Sequence, residues 1–325
     1  MTKDQFTILN LLQRRLKNRK AIRMDEFVDL ALYDEKFGYY SKKNERVGKN
    51  TSSDFYTSNT FGNLWGELII EACSQILSGE DVRKYTFVEI AAEPDCSILK
   101  NLEHPFSSSV TYRLGDTFEI PSPAIVFSNE WLDAQPFKRF RFHEPEKRWR
   151  EVGVKLEENE LNEFSFSDEI DTIFPISSTN GYTIDWPTGA HKALNELVSK
   201  SWNGLFLTFD YGLSKEILMH ERPEGTGRTY YKHKMSDNLL SRPGEQDITC
   251  HLCWDELINS MENKKFQKIE LQSQESFFMN LAQNKIKSLI ERPSKTIDVE
   301  VQKLKELIHP QYFGTKFQAL WGLRL

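Results

Sequence analysis

Residues 87–97 read F-V-E-I-A-A-E-P-D-C-S. The run opens like the first strand of a nucleotide-type α/β fold: apolar residues, then an acid, Glu89, near the strand's end. A glycine-rich turn follows in that arrangement, because a bound molecule presses against backbone only where no Cβ intervenes. The turn here is Ala91-Ala92-Glu93-Pro94-Asp95-Cys96, with no glycine in it. Three readings of the turn stay open: a working site, a rewired one, or the remains of one.

Two further stretches share this texture. Thr86–Ile90, Ala124–Asn129 and 204–211 are nearly continuous apolar runs, as strands buried on both faces of a parallel sheet should be. Each ends in polar residues: Glu89; then Ser128, Asn129 and Glu130; then Asp210 and Tyr211. One acidic strand end is more often a cap or a salt bridge than a site. Three of them converge where open α/β sheets bind their ligands, outside the carboxyl ends of the strands. The expected architecture is α/β: a mostly parallel, Rossmann-type sheet flanked by helices, with N-terminal helices and antiparallel insertions.

Residues 61–77 carry apolar side chains at i, i+3, i+4, i+7 and i+8, which predicts a helix with Ser58, Asn59 and Thr60 as N-cap candidates. Residues 1–80 therefore read as an N-terminal helical segment and 81–325 as the core, with insertions at about 137–180 and 213–250. The first insertion alternates apolar and charged residues over 138–156 around Glu144-Pro145-Glu146-Lys147, which predicts an antiparallel hairpin continued by 157–170. Its arginines, Arg139, Arg141, Arg148 and Arg150, read as a solvated strand face rather than a nucleic-acid ribbon. Residues 192–200 predict a short helix. Cys250-His251-Leu252-Cys253 contains C-x-x-C, but Cys73 and Cys96 lie far away and complete no ligand set, so Cys250 is expected in the core and no metal site is predicted.

Composition narrows the function. The chain has 325 residues, 39% hydrophobic and 28% charged, with a formal charge of −6. That balance argues against general nucleic-acid binding. No apolar run approaches the length needed to span a bilayer. The basic N-terminus lacks an apolar signal core, and Asp4, Asp25 and Glu26 spoil a transit-peptide pattern, so a cytoplasmic protein is expected.

Seven stretches, in order, resemble the motifs of one family. Ala31-Leu32-Tyr33-Asp34 with Phe37-Gly38-Tyr39-Tyr40 resembles "aLYd…GYY", and Asp54-Phe55-Tyr56-Thr57-Ser58 resembles "GDFxTS". Asn129-Glu130-Trp131-Leu132-Asp133-Ala134-Gln135-Pro136 is similar to "NEffDAlPv", and Phe209-Asp210-Tyr211-Gly212 to "iDYG". Gly225-Thr226 with Tyr230 resembles "GTlrxY", 244–249 resembles "GxqDiT", and Gly314-Thr315-Lys316-Phe317 resembles "mGxxFk". These are motifs of the MidA (DUF185) family of S-adenosylmethionine-dependent methyltransferases, which includes the mitochondrial complex I assembly factor. The resemblance implies a class I methyltransferase acting on a protein side chain, an arginine nitrogen, with S-adenosylmethionine as cofactor and a respiratory complex subunit as one kind of partner.

It also implies roles. Asp54, Thr57, Ser58, Glu89 and Ala91 would surround the cofactor, with Asp116 at its adenine end. Asn129, Glu130, Asp133, Asp210 and Tyr211 would lie around the transferred methyl group, and Asp247 and Thr249 on the substrate side. Two departures accompany the resemblance. Of the family's first loop, roughly "ExGxGxGxL", only Glu89 is present. Residues 91–123 allow one βαβ crossover but hardly two. The strand around 110–114 reads as the later of the pair, so the unit expected to be missing is the one whose acidic tip binds ribose hydroxyls. Two functions thus stand side by side: a methyltransferase with a rewired cofactor turn, or a non-catalytic assembly protein on a methyltransferase fold that has lost the cofactor.

Overall fold

The computed structural model describes residues 3–42, 61–94, 96–168, 170, 173–176, 179–292, 298–312 and 314–325. The chain forms two units from interleaved segments. One comprises Met1–Tyr56, Leu132–Leu194 and Gly212–Leu257; the other comprises Thr57–Trp131, Asn195–Tyr211 and Ile258–Leu325.

The second unit holds a six-stranded sheet in the order Gln267–Ser273, Gln318–Arg324, Gly204–Asp210, Ala124–Asn129, Thr86–Ile90, Ser108–Tyr112. Only Gln318–Arg324 runs against its neighbours; the other pairings are parallel. The apolar runs lie where their composition predicts. All of Gly204–Asp210 is buried, as is Ala124–Asn129 up to its last residue. Helix Asn63–Ile76 covers this core through Trp65, whose ring meets Phe209 at 4.9 Å and Phe278 at 5.1 Å.

That helix differs from its expected start. Its N-cap is Gly62, at φ +62 and with no side-chain cap, because a residue without Cβ enters the helix from the left-handed region at low cost. The cap candidates Ser58, Asn59 and Thr60 lie outside the described residues.

Two features of the crossover also differ. The strand expected at 110–114 is Ser108–Tyr112, and it pairs with Thr86–Ile90 along its whole length. It therefore fills the slot beside the first strand, the one expected to be missing. What the sheet lacks, among the described residues, is a further strand outside it. Neither connection, 91–107 nor 113–123, contains a helix among the described residues. The first is long enough to return a parallel strand without one. Helix Asn63–Ile76 lies close against it: a Cβ on Gly66 would fall 2.4 Å from the Ile98 carbonyl oxygen.

The other unit is built on a five-stranded antiparallel sheet with Arg148–Glu157 at its centre, pairing with Ile22–Arg23, Lys138–His143 and Glu160–Ser165; Thr183–Trp186 pairs with Lys138–His143. The expected hairpin is present, with Arg141 opposite Arg150. Helices Lys3–Leu16 and Met24–Tyr33 pack on it through Ile8, Leu12, Phe27 and Val28, in one core with Val152, Val154, Ile248 and Cys250. Cys250 is thus a core residue, as expected, and lies just past the strand Asp247–Thr249. The solvated arginine face is corrected at Arg139, which is 6% exposed. Its guanidinium bonds both oxygens of Asp185, at 2.8 and 3.1 Å, and Glu163 at 2.8 Å. Asp185 sits directly opposite it on the neighbouring strand, and that pairing makes the burial tolerable.

Candidate functional site

Parallel strands bring their carboxyl ends to one edge of the sheet. Ser128 bonds Thr208 across two of them, Oγ to Oγ1 at 2.8 Å and buried. One residue on, Glu130 turns out of the strand at φ +49, its N–H held by the Phe209 carbonyl at 2.9 Å. Asn129 donates its amide to Glu130 Oε1 at 2.9 Å. Asn129 Oδ1, itself buried, has no hydrogen-bond partner among the described residues. Asp210 is fully buried and accepts the Tyr211 N–H at 3.0 Å, and the Tyr211 ring stands edge-on to Phe317.

The glycine-free turn is held by side chains. Ala91 adopts φ +60, the conformation in which glycine is ordinarily found. Glu89 reaches past the turn and accepts the Ile98 N–H at 2.9 Å. Burial pushes the Glu89 carboxyl above its ordinary value, while bonds from Ser97 and Ile98 and the charge of Arg113 pull it back. Arg113 donates to the Cys96 carbonyl at 2.8 Å, and Asp116 accepts the Arg113 N–H at 2.7 Å. Glu89 and Asp116 therefore both shape backbone here. Near them Tyr112, Phe118 and Trp131 form an aromatic run with centroids 5.3 and 6.2 Å apart. Sequence reasoning assigned these rings no role, and only the aromatic residue within the N-E-W-L-D-A motif hinted at one.

Other expected site residues belong to the antiparallel unit. The Asp133 carbonyl takes the Cys250 N–H at 3.1 Å. Asp247 accepts the Tyr40 hydroxyl at 2.8 Å, and the buried Thr249 lies two residues along the same strand. The G-T motif folds around a residue that the sequence reading passed over: Asp185 Oδ2 accepts the N–H groups of Thr226 and Gly227 at 2.9 and 2.7 Å. Asp54, Thr57 and Ser58 lie outside the described residues.

A sheet of this order, with polar residues gathered at the ends of its parallel strands, is that of a class I methyltransferase. Residues 70–271 match the profile of the family described as "Putative S-adenosyl-L-methionine-dependent methyltransferase", and the chain belongs to that family. This agrees with the MidA (DUF185) resemblance, and S-adenosylmethionine is the family's cofactor.

The fold is similar to that of a COG1565 superfamily member from Burkholderia thailandensis bound to S-adenosyl-homocysteine. Identity is 18% and the TM-score 0.86, over 99% of this chain and 92% of that one. A native crystal structure of a COG1565 superfamily protein from the same organism gives 16% and 0.82, over 99% and 92%. No curated protein matches the chain.

Proposed function

We propose that the chain transfers the methyl group of S-adenosylmethionine to a side-chain nitrogen of a protein, an arginine by the motif resemblance. The observation that carries this is the Asn129–Glu130 corner: a buried amide oxygen without a partner among the described residues, beside an oriented carboxylate, at the end of the sheet where ligands of this fold class sit. Ala91 also fits the cofactor, since it keeps the glycine conformation of the first turn. Glu89 and Ala91 would hold the methionine end, the Tyr112–Phe118–Trp131 run and Asp116 the adenine end, and Asp54, Thr57 and Ser58 the flank.

Bound S-adenosylmethionine supplies a methyl group on sulfonium, whose C–S electron pair leaves on sulfur. The protein's part is alignment of the incoming nitrogen with that carbon. Asn129 Oδ1 would accept an N–H of the nitrogen group, and Glu130 would hold a guanidinium, keep its attacking face turned inward and take the proton that the nitrogen loses as the N–C bond forms. Asp210 and Tyr211 would close the same end; for Asp133, Asp247 and Thr249 the motif resemblance alone implies an acceptor role. A cytoplasmic protein partner, such as a respiratory complex subunit, is the acceptor class that the resemblance suggests.

A second reading is favoured by the connection 91–107. Among the described residues no helix follows the turn to offer its N-terminus there, and no glycine opens the backbone. On this reading the chain is an assembly protein that binds a partner without the cofactor. Isothermal titration with S-adenosylmethionine and S-adenosylhomocysteine separates the two. Saturable binding that weakens at least ten-fold in Glu89→Ala supports transfer; no heat at millimolar ligand supports the assembly role.

A further inference from the structure

The first helices of the antiparallel unit carry a charge pattern that methyl transfer does not use. Residues 14–20 read R-R-L-K-N-R-K, five cations without an acid, in a chain whose formal charge is −6. Helix Lys3–Leu16 ends inside this run, and with helix Met24–Tyr33 it lines a groove of about 670 Å³. Leu11, Leu16 and Leu30 give the groove its apolar side chains. Arg14, Arg15, Lys17 and Arg19 line it as cations, and Asp34 is its acid. All of these residues belong to one unit.

The cations fall into two sets. Arg15 pairs with Asp29 at 3.5 Å, and Arg19 donates to both oxygens of Glu26 at 2.9 and 3.1 Å and to the Arg15 carbonyl at 3.1 Å. Arg14 and Lys17 are exposed, and their side chains have no hydrogen-bond or ion-pair partner among the described residues. Asp34 does not supply one: its Oδ1 accepts the N–H groups of Lys36 and Phe37 at 3.1 and 3.0 Å. Lys17 also stands at φ +46, in the left-handed conformation with which helices ordinarily end at a glycine, so a lysine there costs strain that glycine avoids. Cations in a helix's last turn complement its dipole, which accounts for Arg14 and Arg15. That role needs neither an apolar floor nor a charge beyond the helix end. A bilayer surface calls for cations on a flat or convex face, whereas here they border a groove lined with leucine. A chain that alternates carboxylates with apolar side chains matches both features.

We propose that this groove docks an acidic segment of a partner protein, with its carboxylates on Arg14 and Lys17 and its apolar side chains on the leucines. Docking here is independent of the methyl-transfer reading. It is tested on the full chain by fluorescence anisotropy with the fluorescein-labelled peptide Glu-Glu-Leu-Glu-Glu-Leu-Glu-Glu, and with the same peptide carrying serine at both leucine positions. The leucine peptide should bind saturably, and its affinity should fall as salt is raised, because exposed charges are screened. Binding should be about ten-fold weaker in the Arg14→Glu, Lys17→Glu double variant, through lost charge complementarity, and about ten-fold weaker for the serine peptide, through lost apolar burial.

Failure of the leucine peptide to saturate the chain overturns the proposal, as does wild-type affinity in the double variant. Equal binding of the two peptides also overturns it, since the cations would then be a patch that reads charge alone. Phosphatidylserine vesicles are run in parallel: binding to them that the double variant loses, without peptide binding, assigns the face to a membrane and overturns the proposal too. If the double variant lacks the wild-type thermal midpoint, the milder Arg14→Gln, Lys17→Gln pair decides by the same criterion. The comparison of the two peptides needs no variant at all.

Discussion

Ala91 shows how one residue can preserve a turn after its glycines are gone. Its φ of +60 places Cβ near the following carbonyl, a conformation that costs an L-residue roughly 1–2 kcal/mol. Its side chain is exposed, so little packing offsets the strain. Ala91→Gly should therefore raise stability by up to about 1 kcal/mol, the relief being partly cancelled by the flexibility glycine adds to the unfolded chain. Urea unfolding measures this, and a loss of stability would mean that the methyl group makes contacts the strain argument ignores. Gly225 is the opposite case. At φ +73, a Cβ there would lie 2.4 Å from Asp185 Oδ2. Gly225→Ala should cost at least ~2 kcal/mol by combining backbone strain with displacement of a buried, charge-paired carboxylate. A thermal midpoint within a degree of wild type would refute it.

At the scale of elements, the turn and the helix-free course of its described residues are explained by what presses on them. Gly66 lets helix Asn63–Ile76 approach the backbone of Ile98, and Glu89 binds the Ile98 N–H from the other side. A segment held at both flanks is pinned as turns. Gly66→Val should push the helix off this connection, lowering the thermal midpoint by several degrees and weakening S-adenosylhomocysteine binding together, because backbone at Ile98 cannot yield as a flexible side chain would. Unchanged cofactor affinity in a folded Gly66→Val chain would separate the turn from the site. The hairpin teaches a related lesson. Alternation placed its strands and turn correctly, yet periodicity carries no information on which arginine meets a carboxylate. Arg139 is buried because Asp185 and Glu163 face it, and those partners come from strands 24 and 46 residues away.

For the whole molecule, stability should depend on pH through two half-buried histidines. Burial is the main cause that lowers both His191 and His251 to about 4, so each stays neutral in the folded chain where an unfolded histidine, at about 6.5, takes up a proton. The unfolded chain then binds more protons between these values, and stability falls as pH drops through that window, by at most about 1.4 kcal/mol per pH unit for each histidine. Asp185, held below the ordinary aspartate value against the cost of burial by the Arg139 charge, adds a further loss at more acid pH as it protonates. Urea midpoints from pH 7 to 4 should show a shallower slope in the His191→Gln, His251→Gln double variant; an equal slope would place the protons elsewhere. Cofactor binding acts on the same equilibrium. S-adenosylhomocysteine at a hundred times its Kd should stabilise the chain by about 2.7 kcal/mol, seen as a rise of several degrees in the thermal midpoint.

The sequence by itself determined the parallel sheet, because a strand buried on both faces must be apolar throughout, and that texture is visible without neighbours. It determined the polar strand ends at Glu89, Asn129, Glu130 and Asp210, which are visible where each apolar run stops. It also carried the antiparallel hairpin, which follows from a period of two, and the core place of Cys250. Only the tertiary structure decided that the strand after the turn lies directly beside the first, that no helix follows Ala91 among the described residues, that Arg139 is buried, and that Tyr40 grips Asp247. Each of these depends on contacts between residues distant in the chain, and local patterning records which faces are apolar but not which partners will meet across them.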